Sequence, residues 1–505
     1  MLHGPSCRLA IALVASVAVI ALESAPTADA PVRGVVPPPS PALTLAPVGA
    51  WCWFADPRAV RMGDRSVFGW VDDEGSIMVG DDLGRQAILH HRLERDDHDN
   101  PALYVRRDGR LTAFWSAHNG DTLYQRTARE GLDGWGPVTT LPDNPEGAEH
   151  RRYTYPNPVR VGDRLILFWS GTGSTATFAE STDDGDSWGP ARMLFRPEGP
   201  AVRYVKYRAD GNAIHMAWTL DHPRDRVSGV RHAVIRGRSV ELQDGTPIGT
   251  LGVPLDPTAG EVIYDERTAG GAWIHDIAVR DGRPTVVYAT FGADGTGTYR
   301  YAHWDGRWRD ERLVTAGRTF ELSGGEPHYA GGITLDPSDP NVVLLSRAVA
   351  GRHEIERWYR RDGRWSSVPI TRASRVPNVR PFPVGDGIAW MRGDYPSYER
   401  YRTAMAWLPE GGVPFPPSVR ITPRAVRWGR PITLRARHVE GTVDVRAVPV
   451  RRRVGGRPVR TVLRNIRLRD GRATLSTRSL RRGARYRITV RGAGQALGRA
   501  TVRVR

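Results

Sequence analysis

The chain has 505 residues, of which 40% are hydrophobic and 25% are charged, and its formal net charge is +17. Its length allows two or three domains with real cores, and its 16 Trp residues argue against a disordered chain. The charge is uneven, because residues 416–505 hold 25 Arg against three acidic residues, a local balance of +22 that leaves −5 for the rest. The charge therefore does not support nucleic-acid binding by the whole chain, because only the C-terminal part is basic.

The N-terminus has the pattern of an export signal. Arg8 precedes an apolar run from Leu9 to Leu22, and small residues follow as far as Ala30. This pattern predicts a signal peptide over residues 1–30 and a secreted mature protein. An N-terminal membrane anchor is the alternative, but the apolar run is short for a membrane span, so no stable insertion is expected. Cys52 alone remains in the mature chain, which excludes an intrachain disulfide.

Residues 31–47 are rich in Pro and predict a linker. Beyond them one pattern recurs: a short apolar strand, a turn rich in Gly and Asp, and a second apolar strand that often carries an aromatic residue. The pattern occupies residues 59–70, 104–115, 158–169, 205–218, 277–288, 333–346 and 379–390. Such alternation around a turn is typical of β-hairpins. Seven units over residues 48–415 are roughly 53 residues each, the size of a four-stranded propeller blade. The sequence therefore predicts an all-β chain with a seven-bladed β-propeller, with six or eight blades as the alternatives.

Two further segments fit this architecture. Residues 181–188 have the Ser-x-Asp-x-Gly-x-Ser-Trp form of an Asp-box, a structural hairpin of propeller blades. Residues 416–505 alternate apolar residues with Arg and predict a small β-sandwich, in which Tyr486 resembles the tyrosine corner of Ig-like and fibronectin-like domains. Its basic exterior has two interpretations: contact with acidic glycans or the cell envelope, or a solvated surface, which is the preferred one.

Polar residues cluster beside two of the predicted hairpins. His98 and His118 flank the second repeat on both sides, and because hairpin strands are antiparallel, both are expected at the same end of the propeller. Tyr207 and Arg224 are placed in the same way around the fourth repeat. These four residues are the predicted catalytic set. The neighbouring polar residues predicted to bind substrate are Asn100, Asn119, Tyr204, Lys206 and His222, whereas His215 and His275 are assigned structural roles.

This set suits β-elimination from a uronate glycan. The reaction needs a cation to neutralise the carboxylate, a base to take the C5 proton and an acid to protonate the leaving O4. Arg can hold a carboxylate through two parallel hydrogen bonds, and His titrates near neutral pH. A Tyr beside cationic groups can exchange a proton.

Several motifs resemble the BNR-repeat family of seven-bladed propellers that includes ulvan lyases and rhamnosyl-glucuronate lyases. The matching segments are residues 51–60, 96–111, 114–120, 204–207, 214–224, 326–347 and 390–395. The resemblance covers about residues 48–410. It implies that His98 and His118, a Tyr and an Arg form the active site, with Arg224 neutralising the uronate. Tyr207 fits the Tyr, and Tyr204 is the alternative.

The predicted function is thus an exported polysaccharide lyase acting on an acidic, uronate-containing glycan such as an ulvan-like or rhamnose–glucuronate polymer. A non-catalytic glycan-binding propeller is the alternative, followed by a sialidase, for which the usual Arg-Ile-Pro signature is missing, and a glycosidase, for which no carboxylate pair stands out. No organic cofactor is required for elimination. A structural divalent cation is left open, since no Cys/His spacing specifies a metal site.

Overall fold

The structure, a computed structural model, describes residues 42–147, 152–267, 270–318, 320–322, 326–385, 387–409, 418–437, 442–451, 453–454, 457–467, 472–492 and 495–505. The predicted signal peptide and most of the predicted linker lie outside these residues. Within them the helices are single 3₁₀ turns, at Asp97–Asp99, Thr172–Ser174 and Thr477–Ser479. In the part of the chain that the structure describes, no helix is long and apolar enough to span a bilayer.

Most of the chain forms consecutive antiparallel sheets. The first strand is β1 (Leu43–Ala46), and the first blade contains β2 (Ala59–Met62), β3 (Arg65–Val71), β4 (Ile77–Asp81) and β5 (Gln86–His90). The second blade contains β6 (Ala102–Val105), β7 (Leu111–Ser116), β8 (Leu123–Glu130), β9 (Asp133–Trp135) and β10 (Thr139–Thr140). The third contains β11 (Thr154–Val161), β12 (Arg164–Ser170), β13 (Ala176–Ser181) and β14 (Arg192–Met193).

The remaining blades follow in chain order. The fourth contains β15 (Tyr204–Asp210), β16 (Ala213–Thr219), β17 (Val230–Arg236), β18 (Ser239–Glu241), β19 (Pro247–Thr250) and β20 (Glu261–Tyr264). The fifth contains β21 (Ala272–Arg280), β22 (Arg283–Phe291), β23 (Thr296–Trp304) and β24 (Trp308–Arg318), and a separate pair, β25 (Phe320–Leu322) and β26 (Glu326–Tyr329), comes next. The sixth contains β27 (Ile333–Leu335), β28 (Val342–Val349), β29 (Arg352–Arg361) and β30 (Arg364–Pro369), and the seventh β31 (Asn378–Val384), β32 (Gly387–Asp394) and β33 (Arg402–Leu408).

The ring is closed by its own N-terminal strand. β1 pairs antiparallel with β33, with Leu43 opposite Trp407, so the seventh blade gains its fourth strand from the start of the chain. The prediction of seven blades is confirmed. The linker predicted over residues 31–47 is wrong at its C-terminal end, because Leu43 and Ala46 are buried in this sheet.

All seven predicted hairpins are the first two strands of a blade. The aromatic residue near the end of the second strand is fully buried in most blades, and each such ring contributes several kcal/mol, since its truncation typically costs about 3–5 kcal/mol. These residues are Trp70, Trp115, Trp169, Trp218, Tyr288 and Trp390. The Asp-box is confirmed as a turn between β13 and β14, in which the Ser181 hydroxyl accepts a hydrogen bond from Gly185 N at 2.8 Å.

The hairpin geometry gathers particular loops at one face. Each first strand begins, and each second strand ends, at the same end of its blade, because the two strands are antiparallel. The segments before each first strand and the loops after each second strand therefore surround one mouth of the propeller, here called the upper mouth.

The segment that precedes β2 lies below the upper mouth and fills the centre of the ring. Trp53 stacks on His275 with ring centroids 5.0 Å apart, and its edge meets Trp273 at 4.9 Å. Phe54 packs on Tyr204 at 4.8 Å. These rings separate the upper mouth from a second cavity of about 500 Å³, lined by the later residues of the first strands and here called the lower cavity.

The basic C-terminal region forms two larger sheets around one hydrophobic core. One sheet contains β34 (Ser418–Thr422), β36 (Ile432–Arg437) and β41 (Arg472–Leu475), and the other contains β35 (Ala425–Val426), β37 (Thr442–Pro449), β40 (Val462–Arg467), β42 (Arg485–Gly492) and β43 (Gln495–Val504), with β38 (Arg453–Val454) and β39 (Arg457–Pro458) as a separate pair. The Tyr486 hydroxyl accepts a hydrogen bond from Arg481 N at 2.9 Å, the backbone contact of a tyrosine corner. Assignment of this region to an Ig-like sandwich stays a prediction.

Candidate active site at the upper mouth

His98 is presented by a short 3₁₀ turn directly before β6. Asp96 caps this turn, accepting a hydrogen bond from His98 N at 2.9 Å. Asn100 ends the turn, and its side chain accepts from Cys52 N at 2.8 Å and donates to Ala55 O at 3.3 Å. The turn is thereby fixed to the segment that fills the ring. Since the Asn100 side chain is fully buried in these contacts, the prediction that it binds substrate is wrong.

His98 and His118 are brought together, as the sequence predicted. Their rings stack with centroids 4.0 Å apart and an interplanar angle of 14°. The Asp96 carboxylate bridges them, with one oxygen 2.5 Å from His98 Nδ1 and the other 3.0 Å from His118 Nδ1. Because each Nδ1–H donates to Asp96, the Nε2 atom of each ring is left for chemistry.

The two imidazoles have opposite pKa shifts. Burial disfavours charge on His98, but the Asp96 and Asp97 carboxylates outweigh burial and raise its pKa. Burial and the positive charge of His98 lower the pKa of His118, although Asp96 acts in the other direction. His118 is also the more accessible side chain, 25% exposed against 8% for His98. The two shifts therefore favour the charged form of His98 and the neutral form of His118, the arrangement required for an acid beside a base.

A buried ion pair anchors the turn from across the ring. Arg380, from the seventh blade, donates to the Asp97 carboxylate at 2.6 Å and to the Tyr395 hydroxyl at 2.8 Å. Tyr395 in turn donates to Asp97. Since an unpaired charge at this depth would cost several kcal/mol, these contacts fix Asp97, and with it the neighbouring Asp96 and His98.

Tyr204, and not Tyr207, belongs to the upper mouth. Tyr204 is the first residue of β15 and packs 6.0 Å from Tyr155 and 6.1 Å from His222. Tyr207 lies three residues further along β15, stacks on Phe168 at 4.1 Å and lines the lower cavity. The prediction that Tyr207 joins the two histidines is therefore wrong, because β15 carries this residue below the central rings.

Lys206 is placed with Tyr207, on the lower side of the central rings. Its ammonium group donates to the Asp56 carboxylate and to Trp53 O. Asp56 is also 3.0 Å from Arg58 Nε, so its charge is matched within the protein. Lys206 is only 2% exposed, and the prediction that it binds substrate is wrong.

Two arginines reach the upper mouth beside Tyr204. Burial raises the pKa of Tyr204, and the charges of Arg203 and Arg224 oppose that rise. Arg224, in the loop after β16, is paired with Glu326. Arg203 has a buried Nε without a hydrogen-bond partner among the described residues. Arg203 is thus the more available of the two cations.

His222 and Asn119 lie at the mouth as predicted, and their substrate contacts stay predictions. His222 Nδ1 accepts from Arg224 N at 3.1 Å, so the proton of the neutral ring is on Nε2. That atom is buried and has no partner within the described chain. Burial and the nearby Arg224 lower the pKa of His222 to about 3. Asn119 follows His118, and its backbone N donates to Thr154 Oγ1 at 2.9 Å.

Within the described residues, two groups of three place possible metal-ligand atoms within 4.8 Å of one another: Asp96, His98 and His118, and Cys52, Asp97 and His98. In the first group the atoms already satisfy one another through hydrogen bonds. In the second, burial and the Asp97 carboxylate raise the pKa of the Cys52 thiol to about 12, whereas a metal ligand must be a thiolate.

Sequence reasoning missed the aromatic and acidic residues that other blades contribute. Tyr155 packs 5.6 Å from His98, and Tyr398 meets the rings of His98 and His118 edge-on at 5.0 and 5.8 Å. Tyr155 could have been found, because it precedes Asn157-Pro158 by two residues, as His98 precedes Asn100-Pro101. No comparable signal marks Tyr398 or Glu326.

The consecutive antiparallel sheets define the fold as a β-propeller. The family model described as "BNR repeat-containing family member" matches residues 66–316, which confirms the resemblance drawn from the motifs. No curated protein sequence matches the chain significantly.

Solved structures with the same fold include polysaccharide lyases. An ulvan lyase of polysaccharide lyase family 25, bound to -[GlcA(1-4)Rha3S]-, is similar with a TM-score of 0.53 and 10% identity over 73% of this chain and 94% of its own. A second structure of a family 25 ulvan lyase has a TM-score of 0.53 and 11% identity, over 73% of this chain and 94% of its own. Polysaccharide lyase Uly1 has a TM-score of 0.45 and 11% identity, over 72% of this chain and 98% of its own. At these identities the similarity shows the fold.

Proposed function

We propose that this protein is a secreted polysaccharide lyase that cleaves a uronate-containing glycan by β-elimination. The observation that carries the proposal is the His98–Asp96–His118 group: two imidazoles stacked at 4.0 Å, held by one carboxylate, with pKa values shifted in opposite directions. Such a pair supplies a base and an acid to adjacent atoms on one side of a sugar ring.

His118 is the base in this proposal. Its neutral ring has Nδ1–H donated to Asp96, so the Nε2 lone pair takes the C5 proton of the uronate. The electrons of the C5–H bond form the C4=C5 double bond, and the C4–O4 bond breaks. His98, charged because of Asp96, donates its Nε2 proton to O4. The products are an unsaturated uronate and a free hydroxyl, and the shared carboxylate lets the two rings exchange their proton states through solvent before the next turnover.

Arg203 and Arg224 neutralise the substrate carboxylate. The C5 proton becomes acidic only when negative charge can develop on the carboxylate, and stabilising that charge is usually the largest contribution to catalysis. Arg203 is available without displacing a partner, whereas Arg224 must first release Glu326. A substrate carboxylate can replace Glu326 on Arg224 with the same geometry.

The substrate proposed is an acidic polymer with an ulvan-like or rhamnose–glucuronate linkage. The support is the resemblance of the motifs together with the uronate–rhamnose sulfate ligand of the ulvan lyase that shares this fold. Secretion is supported by the pattern of residues 1–30. The chemistry uses side chains alone, so neither an organic cofactor nor a catalytic metal is required, and a structural cation is left open.

The proposal is tested with the purified mature protein on a panel of uronate glycans. The expected result is a near-ultraviolet band from the unsaturated uronate, and product masses equal to elimination without added water. The band should persist in excess chelator. Products that have gained water would instead indicate hydrolysis. Glycan binding without any product would support the non-catalytic alternative.

Replacing Tyr204 by Phe is expected to lower kcat/KM about 10- to 100-fold. Its hydroxyl has no hydrogen-bond partner among the described residues and is therefore available to a charged substrate, to which one such bond contributes about 1.5–3 kcal/mol. The matched control is Tyr207→Phe, which keeps the stack on Phe168 and should leave kcat/KM within about twofold. A larger loss in Tyr207→Phe than in Tyr204→Phe would contradict the placement of both residues.

A further inference from the structure

One face of the five-stranded C-terminal sheet carries a dense array of arginines. Residues paired across antiparallel strands point to the same side, and so do alternate residues of one strand. In β42 the alternation is complete: Tyr486, Ile488 and Val490 are buried in the core, so the residues between them face outward. The exposed arginines of this outer face are Arg446, Arg467, Arg485, Arg487, Arg491 and Arg503, here called the arginine face.

The charges of the arginine face lack ion-pair partners among the described residues. Arg485 lies directly opposite Arg503, a like-charge pair that destabilises a sheet. The acidic residue on this face, Asp444, lies opposite Arg491 and accepts a hydrogen bond from Asn465 at 2.9 Å. None of the six guanidinium groups has an ion pair among the described residues. The whole segment 416–505 contains only three acidic residues against 25 Arg, so its charge is strongly unbalanced.

The dimensions suit an extended chain. Arg485 and Arg491 are six residues apart on one strand, about 20 Å, and the face crosses four neighbouring strands, about 14 Å. Thr501 lies opposite Arg487, so hydroxyl groups stand between the cations. A flat surface with repeated cations and short polar side chains fits a linear polymer with regularly spaced anions better than a compact anion.

We propose that the arginine face binds an acidic polysaccharide along its length. The guanidinium groups form paired hydrogen bonds with carboxylate or sulfate groups, and release of counterions from the polymer drives association, as for other linear polyanions. This binding is independent of the chemistry proposed for the propeller. It holds the protein on the polymer and raises the local concentration of chain segments.

The test uses the full-length protein and dextran sulfate, which has no uronate and cannot undergo the proposed elimination. The expected result is a retardation in affinity electrophoresis that neutral dextran does not cause and that weakens about tenfold or more between 50 and 200 mM salt. The triple variant Arg485→Gln, Arg487→Gln, Arg503→Gln should weaken binding at least tenfold. Its matched control is Arg435→Gln, Arg472→Gln, Arg478→Gln, which removes the same charge from exposed positions on and beside the other sheet, including an opposed Arg435–Arg472 pair, and should change binding less than twofold.

Two further measurements decide the interpretation. The thermal midpoint of the triple variant should be unchanged or higher, because the opposed Arg485–Arg503 pair is relieved, and its elimination rate on short oligosaccharides should be unchanged. Equal losses in both triple variants would overturn the proposal, since binding would then follow net charge. Duplex DNA or phosphatidylserine vesicles that bind as tightly as dextran sulfate at equal charge and salt would also overturn it, because the partner would then not be a polysaccharide.

Discussion

Replacement of His118 by Ala is expected to lower kcat for elimination about 10³-fold while glycan affinity stays within a few fold. The Nε2 lone pair of this ring is the proposed base, and general-base catalysis typically contributes about 10²- to 10⁴-fold. Because the ring is 25% exposed and stacks on His98 at one side only in the described contacts, its loss should have little effect on stability. The rate is measured by the absorbance of the unsaturated product, and the affinity by calorimetry.

Two additions make this experiment specific. The control is His91→Ala, which removes an exposed histidine that has no contact with His98 or His118 among the described residues and should keep the full rate. Added imidazole should restore part of the activity of the His118→Ala variant, because a small base can occupy the vacated position. An unchanged rate in His118→Ala would reject this residue as the base, and binding with no turnover in the unmodified protein would favour a glycan-binding propeller.

The repeats explain how much of the fold was predictable. Apolar residues on both sides of Gly-Asp turns identified all seven hairpins, since two short apolar strands joined by a tight turn leave a local signal in the sequence. The third and fourth strands vary from 2 to 11 residues in length, and the sequence showed them only through spacing. The pairing of β1 with β33 joins residues more than 350 positions apart, so no local pattern could reveal it.

The site, like the fold, was predictable where its residues belong to one hairpin. His98 and His118 were found because one hairpin connects them, and antiparallel geometry then fixes their common end. The tyrosine at the mouth is Tyr204 and not Tyr207, three residues further along the chain. The prediction missed this because the sequence does not mark where the first strand leaves the mouth and enters the ring. Tyr398 and Glu326 come from blades that are distant in sequence, so only ring closure brings them to the histidines and Arg224.

Asp96→Asn is expected to lower kcat about 10³- to 10⁴-fold, although Asp96 need not touch substrate. One oxygen of the carboxylate accepts from both His98 Nδ1 and His98 N, and the other accepts from His118 Nδ1. In the variant the amide oxygen can keep the His98 contacts, which leaves the amide NH₂ facing His118. That ring must then accept at Nδ1 and carry its proton on Nε2, so it has no lone pair for the substrate.

The pH profile separates this positioning role from simple misfolding. Activity requires His118 neutral and His98 charged, so the unmodified protein should give a bell between the lowered pKa of His118 and the raised pKa of His98. Asp96 raises the pKa of both rings, and its neutralisation should move both limbs of the bell-shaped pH profile to lower pH.

The control Asp121→Asn, at an exposed position in the loop after His118, should keep the rate and the pH profile unchanged. Because Asp96 acts through His118, the double variant with His118→Ala should be no slower than the slower single variant. Additive losses, or a bell that keeps its position in Asp96→Asn, would show that the carboxylate does not set the proton states of the two histidines.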